Sequence, residues 1–260
     1  MPDKLAIISD LHGNMDALEA VMADIRQRGI DTVYCLGDLI GKGPDGDLVV
    51  DFCQQHVDVV LRGNWDDGIK NPQTSPTVQW WKDRLSQDCL NYLSNLPNSH
   101  DFWLSGQRVR LFHASHISEH HRIRHYTTAE EHLSMFTNTP FTGDGPEPDI
   151  VGYGDIHSAF MIYPDRHKML FNAGSVGNPL DVPIPVYVVM TGEVGCQEQA
   201  PYSMEFVRVP YDVEKQIERA RSLNMPATDA YAIELRTAVY RGVQKRQTEE
   251  KRKLRHKQHG

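Results

Sequence analysis

The 260 residues are 40% apolar and 24% charged, which excludes wholesale disorder and leaves enough chain for a sizeable core. Lys plus Arg number 27 against 35 Asp plus Glu, a net charge of −8, which speaks against a basic nucleic-acid binder. No apolar run reaches membrane-span length, MPDKLAIISD lacks the pattern of a secretory leader, and four scattered cysteines form no disulfide framework or zinc ribbon, so the expectation is a soluble cytoplasmic protein with free thiols.

Leu5 to Ser9 reads as a short buried strand that ends in the polar turn Asp10-Leu11-His12-Gly13-Asn14. Leu18, Val21, Met22 and Ile25 then recur at helical spacing, with Gly29 as a stop. Thr32 to Leu36 is a second strand ending in Gly37-Asp38. Leu48 to Phe52 lies in a second helix, and Val57 to Leu61 is a third strand ending in Gly63-Asn64-Trp65-Asp66. Strand and helix in alternation predict a parallel sheet with crossover helices.

From about Thr77 to Leu96 the pattern is helical but less regular. Further strands are expected at Phe102 to Leu104, Val109 to His113, Ile150 to Val151, Phe160 to Tyr163, Met169 to Phe171, Val186 to Met190 and Met204 to Val209. Two helices around Val213 to Ala220 and Ala227 to Tyr240 close the fold, and Thr137 to Pro148 reads as a loose insertion. The domain is placed at 1–243, with a variable cap segment at about 114–148 and a charged flexible tail over 244–260.

Ligands of such open sheets bind beyond the carboxyl ends of the strands. Those ends carry Asp10 and His12, then Asp38, Asn64, His113, and finally Asp155 and His157 within Gly154-Asp155-Ile156-His157. Singly, each reads as a helix cap or a surface histidine. Together they form an ordered set of oxygen and imidazole donors without a thiolate, which suits Mn, Fe, Zn, Ni or Co.

In the order Asp-x-His, Gly-Asp, Gly-Asn-x-Asp, His, Gly-x-x-His the chain resembles the calcineurin-like metallophosphoesterase superfamily. The segment FNAGSVGNPLD, Phe171 to Asp181, resembles its small bacterial and archaeal branch of phosphodiesterases and diadenosine-tetraphosphatase-like proteins. The resemblance implies a four-layer αββα sandwich, an α/β fold of two mixed sheets flanked by helices. It also implies two divalent metals, Mn foremost, with Fe, Zn, Ni, Co or Mg as alternatives. Asp10, His12 and His157 would hold one metal, Asn64 and His113 the other, and Asp38 would bridge them. A hydroxide between the metals would attack the phosphorus of a phosphoester or phosphoanhydride in line. The substrate would be a small phosphorylated or nucleotide compound, such as a phosphodiester or a dinucleoside polyphosphate.

The chain departs from the family pattern twice. Trp65 stands where the family has a histidine, and indole cannot donate an acidic proton. Asp155 stands where it has the first histidine of Gly-His-x-His. As a ligand it would bring the carboxylates to three and favour harder cations such as Mn or Fe. The catalytic acid is therefore open, with Asp66 and His116 as candidates. Asn14, Lys42 and His116 are candidates for substrate contact, and Asn14 also reads as the cap of the first helix. Six histidines between His113 and His132 read as one ligand followed by the cap, with a second metal site as the rival reading. Trp80-Trp81 reads as helix packing or base stacking, and Gly41-Lys42-Gly43-Pro44 as a turn without Walker spacing. Three alternatives stay open: a protein serine/threonine phosphatase, a weakened metal- or nucleotide-binding relative, and a nuclease, which the net charge disfavours.

Overall fold

A computed structural model describes residues 2–243; the charged tail expected over 244–260 lies outside the described residues. Ten strands and eight helices are formed there. The first half holds β1 (Asp3–Ile8), α1 (Met15–Gln27), β2 (Thr32–Cys35), α2 (Gly46–His56), β3 (Val59–Val60), α3 (Asn64–Gly68), α4 (Pro76–Lys82), α5 (Gln87–Ser94), β4 (Ser99–Leu104) and β5 (Gln107–Phe112). The second holds α6 (Ala129–Ser134), β6 (Ile150–Tyr153), β7 (Phe160–Asp165), β8 (Lys168–Asn172), β9 (Val186–Gly192), β10 (Ser203–Arg208), α7 (Val213–Ser222) and α8 (Thr228–Thr237).

The strands form two mixed five-stranded sheets, ordered β10-β9-β1-β2-β3 and β4-β5-β6-β8-β7. In the first, β1, β2 and β3 run parallel, with Leu5 opposite Thr32 and Tyr34 opposite Val59, while β9 lies antiparallel on β1. The two-residue period of a strand sorts β1 between two cores. Leu5 and Ile7 meet Leu111, Phe171 and Met190 between the sheets. Ala6 and Ile8 meet Leu18, Val21 and Ile25 of α1. Burial on both faces explains the unbroken apolar run in the sequence.

The outer face of the second sheet, with Phe112, Val151 and Leu170, is covered by Ile123, Met135 and Phe136 of the cap segment. This fourth layer is mostly irregular chain. Its one helix, α6, was not legible as an apolar period, because it is a single capped turn and a half held by the Thr128–Glu131 capping box. Two helix boundaries moved, and β3 is shorter than the Val57 to Leu61 expected. Ser86 caps α5 and splits the helical stretch expected over Thr77 to Leu96. Ala238, with φ 57°, ends the last helix early and leaves Tyr240 beyond it. No helix among the described residues is long and apolar enough to cross a membrane.

Candidate metal centre

Asp10, His12, Asp38, Asn64, His113 and His157 converge at the carboxyl ends of β1, β2, β3, β5 and β6. The backbone that aims them is unusual. Asp10, His12, Asp38, Lys42, Asp155 and His157 all have positive φ, between 48° and 63°. Left-handed backbone is sparsely used by residues other than glycine and concentrates at functional sites, at a cost on the order of 1–3 kcal/mol each. Gly63 is required for the same loops to meet. A Cβ there would run into the backbone nitrogen and Oδ1 of Asp38.

Each histidine is oriented from behind by a main-chain carbonyl. Nδ1 of His12 faces Ile40 O at 3.1 Å, that of His113 faces Leu36 O at 2.9 Å, and that of His157 faces Asn178 O at 2.5 Å. A carbonyl only accepts, so the proton sits on Nδ1 and the Nε2 lone pair is left facing inward. These lone pairs meet other acceptors. His12 Nε2 lies 3.1 Å from His157 Nε2. Asp10 Oδ1 lies 3.2 Å from His157 Nε2 and 3.8 Å from His12 Nε2. That oxygen is buried and hydrogen-bonded to nothing among the described residues.

The second group centres on His113. Its Nε2 is 3.1 Å from Asn64 Oδ1 and 3.5 Å from Asp38 Oδ1. The other oxygen of Asp38, Oδ2, is 3.5 Å from His12 Nε2. Asp38 thus offers one oxygen to each group. Two buried triads meet the reach of a metal ion, Asp10–His12–His157 and Asp10–Asp38–His113, and a third group, Asp67–Glu119–His120, does so with His120 exposed. Acceptors packed against acceptors are costly without a cation between them, so the donor set fits two divalent metals.

Electrostatics point the same way. Burial pushes the Asp38 carboxyl well above its usual range, with Asp10 and Asp66 adding to the rise. At Asp10 burial is outweighed by His157, His113 and His12, which hold it below the usual range. Burial alone would lower His113, yet Asp38, Asp10 and Asp155 hold it up at about 9, so without a metal its Nε2 keeps a proton where a cation would otherwise sit. His12 goes the other way, lowered by burial and by Lys42 and His157. The half of the site around His113 attracts positive charge.

The remaining expected residues fall in different places. Asp66 is fully buried and braces the loop. Its carboxylate accepts from the backbone N–H of Asp38 at 2.8 Å, Leu39 at 3.0 Å and Gly63 at 3.0 Å. That leaves it out of reach as a catalytic acid. Asn14 caps α1 by accepting from Ala17 N, and its amide donates to Gly177 O and the Tyr211 hydroxyl, both at 2.9 Å. Fully buried and fully engaged, it has nothing left to offer a substrate. His116 is buried under the cap, with Nδ1 unpartnered among the described residues and its carbonyl bonded by Thr139 Oγ1; it joins neither triad. Asp155 stands 3.9 Å from His113 Nε2, but Arg122 occupies both its oxygens, Nε and Nη2 each at 2.6 Å. A carboxylate so neutralised is a poorer metal donor than the sequence pattern implied.

Lys42 is where a substrate contact is expected. It is buried, and Nζ sits 3.3 Å from His157 Nε2 and donates to Asn178 Oδ1 at 2.8 Å. Burial lowers its pKa to about 8, against the pull of Glu234. Asn178 Nδ2 donates on to Glu234 Oε2 at 3.4 Å, and Arg241 clamps that carboxylate with Nε at 2.9 Å and Nη2 at 2.6 Å. Arg122, Asn178, Glu234 and Arg241 were missed in the sequence. Asn178 alone had a signal, the NPLD after the Gly-Ser-Val-Gly turn. Trp65 lines the site as indole, edge-on to His12 at 6.0 Å and to Trp81 at 5.4 Å.

A cleft of about 420 Å³ opens over these groups, between the cap and the residues after α8. Another cavity, about 300 Å³, lies at the amino ends of β5, β6 and β8 and holds none of the donors.

Known proteins share the fold. An uncharacterized protein of Methanocaldococcus jannaschii is 27% identical over 236 residues, 85% of this chain and 93% of that one. A metallophosphoesterase from Sphaerobacter thermophilus shares the fold with a TM-score of 0.68 at 22% identity, covering 91% of this chain and 100% of its own. A hypothetical protein from Pyrococcus horikoshii OT3 does so with a TM-score of 0.68 at 15% identity, over 86% and 94%. Residues 4–194 match the model of the calcineurin-like phosphoesterase superfamily domain, and that stretch carries every donor of both triads: the chain belongs to the calcineurin-like phosphoesterase superfamily.

Proposed function

We propose that the chain hydrolyses a phosphoester or phosphoanhydride at a dinuclear metal centre held by Asp10, His12 and His157 on one side, Asn64 and His113 on the other, and Asp38 between. The observation that carries this reading is Asp38, whose two oxygens stand 3.5 Å from His12 Nε2 and 3.5 Å from His113 Nε2. Two bound divalent cations, with Mn preferred, would supply Lewis-acid charge to the phosphate oxygens and a nucleophile at neutral pH. The protein supplies the rest. The backbone carbonyls of Ile40, Leu36 and Asn178 hold the three imidazoles in one tautomer. Lys42 and Arg122 line the cleft and face incoming anionic oxygens. Trp65, backed edge-on by Trp81, gives the floor an apolar surface without an acidic proton.

The walled cleft favours a small substrate over the broad surface of a phosphoprotein. The test is an activity screen of the full chain over phosphomonoesters, phosphodiesters and dinucleoside polyphosphates with Mn, Ni, Co and Mg, beside elemental analysis of the purified protein. Metal-dependent turnover abolished by a chelator is expected. Stoichiometric metal with no turnover of any phosphate compound would instead favour the weakened binding relative, the reading that Trp65 supports.

A further inference from the structure

At about 420 Å³ the cleft is larger than one phosphate requires, and its walls differ in chemistry. Asp38, Lys42 and His157 lie in its floor. Arg122 and Arg124 of the cap line it, and both continue with Tyr126 into an adjoining hollow that contains no metal donor. Three cations, Lys42, Arg122 and Arg124, therefore stand along one path. Arg122 spends Nε and Nη2 on Asp155, and its Nη1 makes no hydrogen bond among the described residues. The Arg124 guanidinium pairs with no carboxylate among the described residues. It rests 6.0 Å over the Tyr126 ring.

Aromatic rings face the same space. Tyr126 is 70% exposed and Tyr240 46% exposed, and both line the cleft, from the cap and from the turn after α8. Large apolar rings left open at a cationic cleft suit a planar partner. Resting on the phosphoesterase reading, we propose that the cleft takes a nucleoside polyphosphate: Lys42 and Arg122 meet the phosphate being cleaved, Arg124 meets the next phosphate along the chain, and Tyr126 and Tyr240 frame the base. In the reaction, the oxygen of one water bonds to the attacked phosphorus as its bond to the bridging anhydride oxygen breaks. The nucleotide leaves as a phosphate anion, and one proton passes to solvent. Such a leaving group needs no acid where Trp65 stands.

The test compares ATP with p-nitrophenyl phosphate as substrates of the full Mn-loaded chain, and measures binding of β,γ-methylene-ATP by calorimetry. Arg124→Ala should raise Kd for the analogue and KM for ATP about tenfold, the loss of one charge-assisted hydrogen bond. Tyr126→Ala and Tyr240→Ala should each weaken analogue binding about fivefold or more, the range of base stacking on an aromatic side chain. In all three the ratio of kcat/KM for ATP to that for p-nitrophenyl phosphate should fall by the same factor. Arg124→Lys should recover part of the loss. Equal effects on both substrates, or unchanged analogue binding, would overturn the nucleotide site and leave the phosphoesterase reading standing. Failure of wild type to cleave either substrate with any metal would overturn that reading instead, while analogue binding sensitive to Arg124 would still support the site.

Discussion

The Arg122 guanidinium covers both carboxylate oxygens of Asp155, 2.6 Å from each. The pair joins the cap segment to the turn after β6, so the cap is tied to the metal-binding face by charge as well as by packing. It also changes the charge count. Asp155 no longer adds a third free carboxylate to Asp10 and Asp38, and the argument for harder cations loses that support. With Arg122 partly exposed, solvent screening limits the value of the pair, yet Asp155 is buried and a buried carboxylate left alone is costly. Arg122→Gln and Asp155→Asn should each destabilise the metal-free chain by about 1–3 kcal/mol. The double variant should cost little more than either, because both remove one interaction. Strictly additive losses in urea titrations would show that the two side chains do not act as a unit.

Asp38 and Asp66 separate a ligand from its support. Asp66 holds three backbone N–H groups of the loops that carry Asp38 and Asn64. Losing such a partner typically costs about 10–100-fold in metal affinity, and Asp66→Asn is expected in that range. Asp38→Asn removes charge shared by both triads and should cost more, with little metal retained after gel filtration and a native circular-dichroism spectrum. Full metal content and wild-type turnover in Asp38→Asn would end the two-metal reading.

Glu234 gives a pH signature away from the metal donors. Burial works to raise its pKa, but Arg241 and then Lys42 outweigh burial and hold it below the usual 4.5. A carboxyl with a depressed native pKa stabilises the fold above its unfolded value, and the contribution fades as pH falls through the native one. Glu234→Gln should therefore destabilise the chain by about 1–3 kcal/mol at pH 7. The wild-type and variant stabilities should converge below pH 4.5. A gap that stayed constant from pH 7 down to the acid transition would mean that the charge of Glu234 is not what matters.

Local pattern carried the fold a long way. Apolar runs ending in Asp, His or Asn marked five strand ends, and parallel topology brings such ends together wherever the helices cross over. That is why Asp10, His12, Asp38, Asn64, His113 and His157 could be read as one constellation before any coordinates. What escaped was set by long-range packing. Arg122 meets Asp155 across 33 residues, and Asn178 meets Lys42 across 136, by the path of irregular chain with no period to read. Asn14 and Asp66 were polar residues beside the site whose hydrogen bonds were already taken, by backbone and, for Asn14, by Tyr211 as well.

Trp65 bears on the chemistry most directly. The indole lies edge-on to His12 and Trp81 over Gly41, where a Cβ would strike the ring. It fills the floor of the cleft and offers no acidic proton. The leaving oxygen must then depart unassisted or draw on Lys42, the cation nearest His157. A general acid contributes about 10²–10⁴-fold, most of it for poor leaving groups. The wild-type chain should therefore favour nitrophenolate or a nucleotide phosphate as leaving group and process alkyl phosphates poorly. Trp65→His should speed alkyl ester hydrolysis far more than nitrophenyl ester hydrolysis. The measurement is kcat/KM over an ester series of graded leaving-group pKa, in wild type, Trp65→His and Lys42→Ala, with thermal melts to confirm that the smaller ring leaves the fold intact. A shallower slope in Trp65→His, with an unchanged slope in Lys42→Ala, is the expected result. Parallel slopes in wild type and Trp65→His, joined to a steeper one in Lys42→Ala, would place the proton on Lys42 and leave Trp65 as packing under the metal loop.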